Sequence, residues 1–200
     1  MFLDLNHRYE HPVLAQAFNV WVDIHAPIET VFAFLTEETK LNRWWTSKCT
    51  SDPRPGGLLH CVWHNESQIT GDAVYRQCEP PTRLVVEWTH SNGELIRGNG
   101  DNVRGMRWPA LNLYELVQWE NNSTRLHVHD FGIDPSARYQ QIRKATGHGW
   151  IESLALLKQA AELGYRQNQA KMERSKKSRT PEPDRPPKSG SAGKTRKSSG

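Results

Sequence analysis

Apolar and polar residues alternate from Phe18 to Ile24, and this period of two predicts a half-buried strand. Pro27 follows at a position suited to the first turn of a helix, where its missing N–H costs no hydrogen bond. Apolar residues then recur at i, i+3, i+4 and i+7, namely Ile28, Val31, Phe32 and Leu35. The pattern therefore predicts a strand followed by a short helix with one buried face.

A second short helix is predicted directly after the first. Thr36 is placed to cap its N-terminus, and the next two residues, Glu37 and Glu38, suit the positive end of its dipole. Its apolar face consists of Leu41, Trp44 and Trp45.

Strand-like segments and one long helix make up the rest of the pattern. The strands are predicted over residues 58–63, 69–78, 84–89, 112–119 and 126–131, with a hairpin signal at Asn92-Gly93. Residues 93–109 show no regular period and form an insertion. The helix is predicted over 136–163, with Gly164 as its C-cap and with a bend or a close backbone approach at Gly147 and Gly149.

Charge divides the chain near residue 166. Residues 166–200 hold eleven Lys and Arg against three Asp and Glu, whereas the preceding residues hold 15 basic and 19 acidic ones. A segment so basic and so poor in apolar residues cannot bury enough surface to fold. We therefore predict an N-terminal extension over 1–17, one domain over 18–165 and a disordered basic tail over 166–200.

The cysteines and the apolar runs indicate where the protein resides. Three cysteines form an odd number without a C-x-x-C pair, which favours reduced thiols in the cytoplasm. No run of about 18 apolar residues suggests a membrane span, and the first residues lack the apolar stretch of a secretory signal. We expect a cytoplasmic protein without a membrane partner.

Several short motifs follow one another along the chain in a characteristic order. They are Ala26-Pro27-Ile28-Glu29-Thr30-Val31, Arg43-Trp44-Trp45, Arg54-Pro55-Gly56-Gly57, Glu79-Pro80-Pro81-Thr82-Arg83-Leu84-Val85-Val86, Trp88, Thr124-Arg125-Leu126 and Gly149-Trp150. In this order they resemble the SRPBCC (START-like) superfamily, and most of all its branch named after the activator of the ninety-kilodalton heat-shock protein's ATPase. The resemblance implies an α+β helix-grip fold, in which a curved antiparallel sheet wraps around a long C-terminal helix and two short helices follow the first strand. It also implies a cavity between the sheet and the long helix.

Alternation along three strands decides which side chains would face that cavity. The alternation places three sets of residues on the inward face, namely Leu59-Cys61-Trp63, Leu84-Val86-Trp88 and Leu126-Val128-Asp130. The candidate ligand-binding residues are therefore Trp45, Trp63, Trp88, Asp130 and Trp150. An apolar pocket with a few polar groups would suit a hydrophobic small molecule. The alternative is that the same residues pack as an ordinary core without a usable cavity.

Asp130 has two interpretations. If the strand continues through it, Asp130 is a carboxylate on the inner face, which needs a partner or a shifted pKa and could orient a ligand or act as an acid or base. If the strand has ended, Asp130 caps a loop beside Gly132. We favour the loop cap but keep Asp130 among the candidates.

The histidines do not predict a metal site. His60 and His64, and likewise His127 and His129, share strand faces, but alternation turns these faces outward, where solvated histidine is ordinary. No catalytic triad, activated cysteine or nucleotide-binding loop stands out, so no catalytic residue, metal or cofactor is assigned.

Three functions remain open. The first is binding of a hydrophobic small molecule, or of a protein partner in the co-chaperone manner that the resemblance implies, without chemistry. The second is an enzyme similar to the polyketide cyclases and dehydratases, with a pocket acid or base. The third is weak, nonspecific nucleic-acid tethering through the basic tail.

Overall fold

The computed structural model describes residues 2–4, 18–63, 68–96, 106–133 and 137–179. This part of the chain contains nine strands: β1 Phe2–Asp4, β2 Phe18–Ile24, β3 Lys48–Ser51, β4 Leu58–Trp63, β5 Ile69–Glu79, β6 Arg83–Ser91, β7 Glu94–Leu95, β8 Met106–Glu120 and β9 Ser123–Ile133. It also contains three α-helices: α1 Ile28–Thr36, α2 Glu38–Leu41 and α3 Gln140–Arg179. A 3₁₀ turn, Ala137–Tyr139, leads into α3.

The strands form one antiparallel sheet in the order β1-β2-β9-β8-β6-β5-β4-β3, with β7 paired to β6. The central strands β8 and β9 are the longest pair, and β2 joins β9 from the other side. The sheet is curved, and with the long C-terminal helix it forms the α+β helix-grip fold that the resemblance implied. That prediction is confirmed.

Helix α3 contributes one face to the core of the sheet. Its buried residues are Trp150, Leu154, Leu157 and Ala161, and they belong to the same cluster as the inward residues of the strands. Fully buried side chains of this cluster include Leu59, Leu84 and Leu126 from three strands. The inward alternation predicted for β4, β6 and β9 is therefore what builds the core.

The second helix is shorter than the sequence predicts. Thr36 does not cap it, because Thr36 is the last residue of α1 and its hydroxyl donates back to the Phe32 carbonyl at 3.0 Å. Helix α2 ends at Leu41, and the two tryptophans follow in a turn. Trp44 is held there by its ring N–H, which donates to the Phe34 carbonyl at 2.9 Å.

Three strands arise where no strand was predicted, namely β1, β3 and β7, and a fourth, β8, begins earlier than predicted. Strand β3 is an edge strand that pairs with β4, with Cys49 opposite Cys61. Strand β8 begins at Met106, inside the segment interpreted as an insertion. The hairpin at Asn92-Gly93 is confirmed: both residues have positive φ, and β6 pairs with β7 across them. Residues 97–105 of the insertion lie outside the described residues.

Helix α3 does not stop at Leu163, so the predicted C-cap at Gly164 is wrong. Gly164 instead lies inside the helix, where an added Cβ would come within 3.2 Å of the Phe34 ring. Residues 166–179, predicted to be disordered, continue the helix because they are rich in helix formers such as Gln, Ala, Lys and Arg. The rest of the predicted tail, 180–200, and most of the 1–17 extension lie outside the described residues.

A Cβ on Gly149 would meet no heavy atom within 4 Å, so the predicted close backbone approach at that glycine is wrong. By its internal contacts the chain divides after Gln167, within α3. Among the described helices, none combines the length and the apolar character that crossing a bilayer requires.

Candidate functional site

Asp130 lies inside β9, which runs on to Ile133, so the loop-cap interpretation is wrong. The residue continues the inward series of Leu126 and Val128, both of which are fully buried. Opposite it on β8 is Asn112, another polar residue on the inward face. Two polar side chains therefore meet on the otherwise apolar inner surface of the sheet.

A chain of hydrogen bonds joins these two residues to two tryptophans. The Trp88 ring N–H donates to Asn112 Oδ1 at 2.6 Å, and Asn112 Nδ2 donates to Asp130 Oδ2 at 3.1 Å. The Trp150 ring N–H donates to the same Asp130 Oδ2 at 2.6 Å. Because an indole N–H only donates, the amide orientation of Asn112 is fixed by its partners.

The site changes the acidity of Asp130. Burial raises the pKa of this carboxyl from 3.8 to about 6, although the hydrogen bonds from Trp150 and Asn112 and the nearby Arg143 guanidinium act to lower it. Burial also raises the pKa of Tyr114, the next inward residue of β8, well above its usual value. Desolvation is therefore the largest influence on the pKa of both groups at this end of the sheet.

Four tryptophans surround Trp45. Its ring centroid lies 5.6 Å from that of Trp44, 5.4 Å from Trp63, 5.9 Å from Trp88 and 6.2 Å from Trp150. The contacts mix stacked and edge-to-face geometries, which are the favourable arrangements for aromatic pairs. We call Trp44, Trp45, Trp63, Trp88 and Trp150 the tryptophan cluster.

Gly71 on β5 provides the space for two of these rings. A Cβ at this position would lie 2.8 Å from Trp88 Cζ3 and 3.2 Å from Trp63 Cζ3. A side chain here would have to displace the Trp88 ring. Glycine is required at this point because the backbone of β5 and the two indoles approach each other closely.

Two cavities adjoin the cluster. The first contains Asp130, and for that reason we call it the main cavity; it has a volume of about 310 Å³ and lies between the sheet and α3. Its lining residues are Trp63, Ile69, Thr70, Gly71, Trp88, His90, Ser91, Ile96, Ala110, Asn112, Asp130, Phe131, Ile133, Ile142 and Thr146. The second cavity, of about 410 Å³, is lined by Trp45, Trp63, Ile69, Thr146, Gly149, Trp150 and Ser153. They share Trp63, Ile69 and Thr146, so they are neighbouring spaces along one wall.

All five sequence-predicted site residues line one of these cavities. Trp63, Trp88 and Asp130 line the main cavity, and Trp45, Trp63 and Trp150 line the second. Their part in binding a ligand stays a prediction. Sequence reasoning missed Asn112 and Gly71, although a polar residue in the inward series Asn112-Tyr114-Leu116 was a signal that could have found the first.

The histidines have other partners. His60 Nδ1 lies 2.6 Å from Asp72, and His129 Nε2 lies 3.2 Å from Glu115 on the neighbouring strand. His129 is buried on the outer face, not solvated as expected, and its ring stacks with those of His127 and Phe131. His64 lies outside the described residues, and among those described no three His, Cys, Asp or Glu side chains are grouped to hold a metal ion.

The thiols show no activation. Burial raises the pKa of Cys61 far above its usual value, and Cys49 and Cys78 are shifted in the same direction by burial. A thiol in such surroundings stays protonated and is a poor nucleophile. The polar groups available at the site are therefore the Asn112 amide, the Asp130 carboxyl, the His90 imidazole and the hydroxyls of Thr70, Ser91 and Thr146.

Comparison with solved structures identifies the fold. The Aha1 protein of Colwellia psychrerythraea, solved as a dimer in solution, is 18% identical with a TM-score of 0.58, over 74% of this chain and 97% of that one. CalU16 of Micromonospora echinospora is 19% identical with a TM-score of 0.54, over 89% and 90% of the two chains. Protein NE0264 of Nitrosomonas europaea is 18% identical with a TM-score of 0.58, over 74% and 95%. At these identities the likeness concerns the fold alone.

No curated protein matches the sequence. A family model does, and it covers residues 25–162, from the end of β2 to the buried part of α3. This range contains the whole tryptophan cluster and Asp130, and the fold is compatible with binding a ligand or a partner. The chain belongs to the family described as Activator of Hsp90 ATPase homolog 1-like protein.

Proposed function

We propose that this protein binds a compact apolar molecule in the main cavity and carries out no chemistry on it. The observation that supports this most is the combination of an apolar space of about 310 Å³ with one oriented carboxyl on its wall. Ligand pockets have volumes of about 300–1,000 Å³, are mostly apolar and carry a few fixed polar groups. The main cavity fits the small end of that range.

The rigidity of the wall supports the same proposal. The indole N–H groups of Trp88 and Trp150 are both bonded within the site, and the rings contact one another through Trp45. Rings held in this way need little reordering when a ligand arrives, so little binding free energy is lost to conformational entropy. Ordinary core packing would instead fill the space that these rings enclose.

The test is isothermal titration calorimetry, in which the full chain is titrated with toluene, a neutral apolar probe. Thr146 lines both cavities from α3, so Thr146→Phe fills the space and is expected to abolish the binding heat. Ala145→Phe places the same ring at the preceding, exposed position of the helix and serves as the matched control. Toluene binding that survives Thr146→Phe, or no binding to the wild type, contradicts the proposal.

The second candidate is an enzyme with Asp130 as general acid or base. It is favoured by one observation, the pKa of about 6, because proton transfer is most effective when the pKa of the group lies near the working pH. Asp130→Asn would abolish turnover of a substrate in an enzyme but would change only affinity in a carrier. Turnover kinetics of this variant, measured with a compound that the wild type converts, distinguishes an enzyme from a carrier.

A protein partner is the third candidate, and the family description supports it. If the domain acts like a co-chaperone, a chaperone should co-purify with the full chain in amounts close to one per molecule. Thr146→Phe should leave that association intact, since it alters the cavity and not the exposed surface. Loss of the association in this variant would link the partner to the cavity.

A further inference from the structure

The two oxygens of the Asp130 carboxyl differ. Both of its hydrogen bonds, from Trp150 and from Asn112, end on Oδ2. Oδ1 accepts no hydrogen bond from the described residues, while the carboxyl lines the main cavity. At neutral pH most of this carboxyl is ionised, and its Oδ1, which is not one of the buried polar atoms that lack a partner, is accessible from the cavity. A ligand that supplies a donor could therefore bond to this oxygen directly.

The remaining lining of the main cavity favours a cation. Among the described lining residues there is no Lys or Arg, and the ionisable side chains are those of Asp130 and His90. The rings of Trp63 and Trp88 have negative faces that attract cations. Arg143 on α3 lies near enough to affect Asp130, and Tyr114 packs beside it from β8, but neither lines the cavity.

Resting on the proposed function, we infer that the ligand is a small apolar amine. Its ammonium group donates to Asp130 Oδ1, and its apolar body lies against Trp63 and Trp88. At about 30 Å³ for each water-sized group, the cavity of about 310 Å³ holds roughly ten non-hydrogen atoms. That is the size of a single aromatic ring with a short aminoalkyl chain.

Acids and neutral alcohols fit this wall less well. A carboxylate ligand would face the like charge of Asp130 inside an apolar space, where repulsion is strong. An alcohol can also donate to the ionised Oδ1, but it carries no positive charge, so it lacks the Coulomb attraction that an ammonium group adds inside an apolar space. The expected order of affinity is therefore amine, then alcohol, then acid.

Three probes with the same phenyl body test this order: phenethylamine, phenethyl alcohol and phenylacetate. In isothermal titration calorimetry of the full chain at neutral pH, we expect phenethylamine to bind about tenfold more tightly than the alcohol, with phenylacetate weakest. Asp130→Asn should remove the advantage of the amine and leave the alcohol nearly unchanged. The control Asp23→Asn, far from the cavity lining on β2, should keep the wild-type order.

The outcomes separate this inference from the proposed function. If toluene binds but phenethylamine is not the tightest of the three probes, the ligand class is wrong and the apolar cavity stands. If the amine keeps its advantage in Asp130→Asn, the assignment to Asp130 is wrong. If neither toluene nor any of the three probes binds, both proposals fail.

Discussion

At the scale of single residues, Asp130 is the side chain of the site that costs the most free energy to remove from water. Its side chain is only partly exposed beside Trp150, and N–H donors and the Arg143 charge offset part of the loss of water. Because burial raises its pKa, the folded state holds the proton more tightly than the unfolded chain does. Asp130 therefore favours folding at low pH and opposes it once ionised.

Asp130→Asn removes the charge and keeps an amide oxygen to accept from Trp150 and Asn112. The contribution of the wild-type carboxyl to stability is complete below its unfolded pKa of 3.8 and is lost as the pH rises through about 6. Relative to the wild type, we expect the variant to gain stability across this window by on the order of 3 kcal/mol. Urea unfolding of both proteins at a series of pH values measures it.

Asp23→Asn is the control with the opposite sign. The Arg125 guanidinium, which donates to Asp23 through two nitrogens, lowers the pKa of that carboxyl. Its contribution to stability is therefore present at neutral pH and lost as the pH falls. Relative to the wild type, Asp23→Asn should become less stable as the pH rises. An Asp130→Asn difference that stays constant with pH would contradict the burial of the charge.

Gly71 supports a second prediction at this scale. In Gly71→Ala the new methyl group lies 2.8 Å from Trp88, so the ring must move within the tryptophan cluster. Overpacking of this kind costs about 1–3 kcal/mol. Urea unfolding should show the loss, and near-ultraviolet circular dichroism should show altered tryptophan packing. Unchanged stability with an unchanged spectrum would mean that the two rings do not depend on this glycine.

The inward side chains could be predicted residue by residue, and the hydrogen bonds could not. A strand has a period of two whatever surrounds it, so alternation alone predicts that Trp63 and Trp88 face inward. Alternation also turns Asp130 inward, but the favoured interpretation ended the strand before it and was wrong. The bond from Asn112 to Asp130 depends on the register of β8 with β9, and the bond from Trp150 depends on how α3 crosses the sheet. Neither bond can be predicted from a local sequence pattern.

At the scale of elements, two of the glycines in α3 differ in their surroundings. Gly149→Ala adds a methyl group in open space, and we expect about 0.5–1 kcal/mol of added stability from helix propensity. Gly164→Ala places the methyl group within 3.2–3.3 Å of the buried Phe34 ring, so contact strain offsets the same gain. Thermal unfolding of the two variants should rank Gly149→Ala above Gly164→Ala; equal gains would show that α1 and α3 are not tightly packed there.

The elements were predicted best where apolar periodicity was strong. Strand β4 and helix α1 follow their patterns closely, whereas β3 is a short polar edge strand that forms only because β4 offers it a partner. Helix α3 was predicted to end too early because the residues after Gly164 have few apolar positions. Their helix propensity does not depend on those positions, so the helix continues.

At the scale of the whole molecule, the excess of basic residues after residue 165 predicts that this end of the chain binds polyanions. Residues 166–200 hold eleven Lys and Arg, and we expect weak binding to duplex DNA whose affinity falls steeply with salt. Deleting residues 180–200 should reduce the slope of log affinity against log salt concentration, because fewer counterions are then released. Toluene binding should not change. An unaltered slope after the deletion would remove these residues from any nucleic-acid contact.

We propose that a compact apolar molecule occupies the cavity beside Asp130. Native mass spectrometry of the full chain, purified from its own cells, tests this by comparing intact and denatured masses. We expect a stoichiometric small molecule that is lost on denaturation, contains a basic nitrogen and is absent from Thr146→Phe but present in Ala145→Phe. A wild-type protein that carries nothing, or a bound mass that persists in Thr146→Phe, would contradict it.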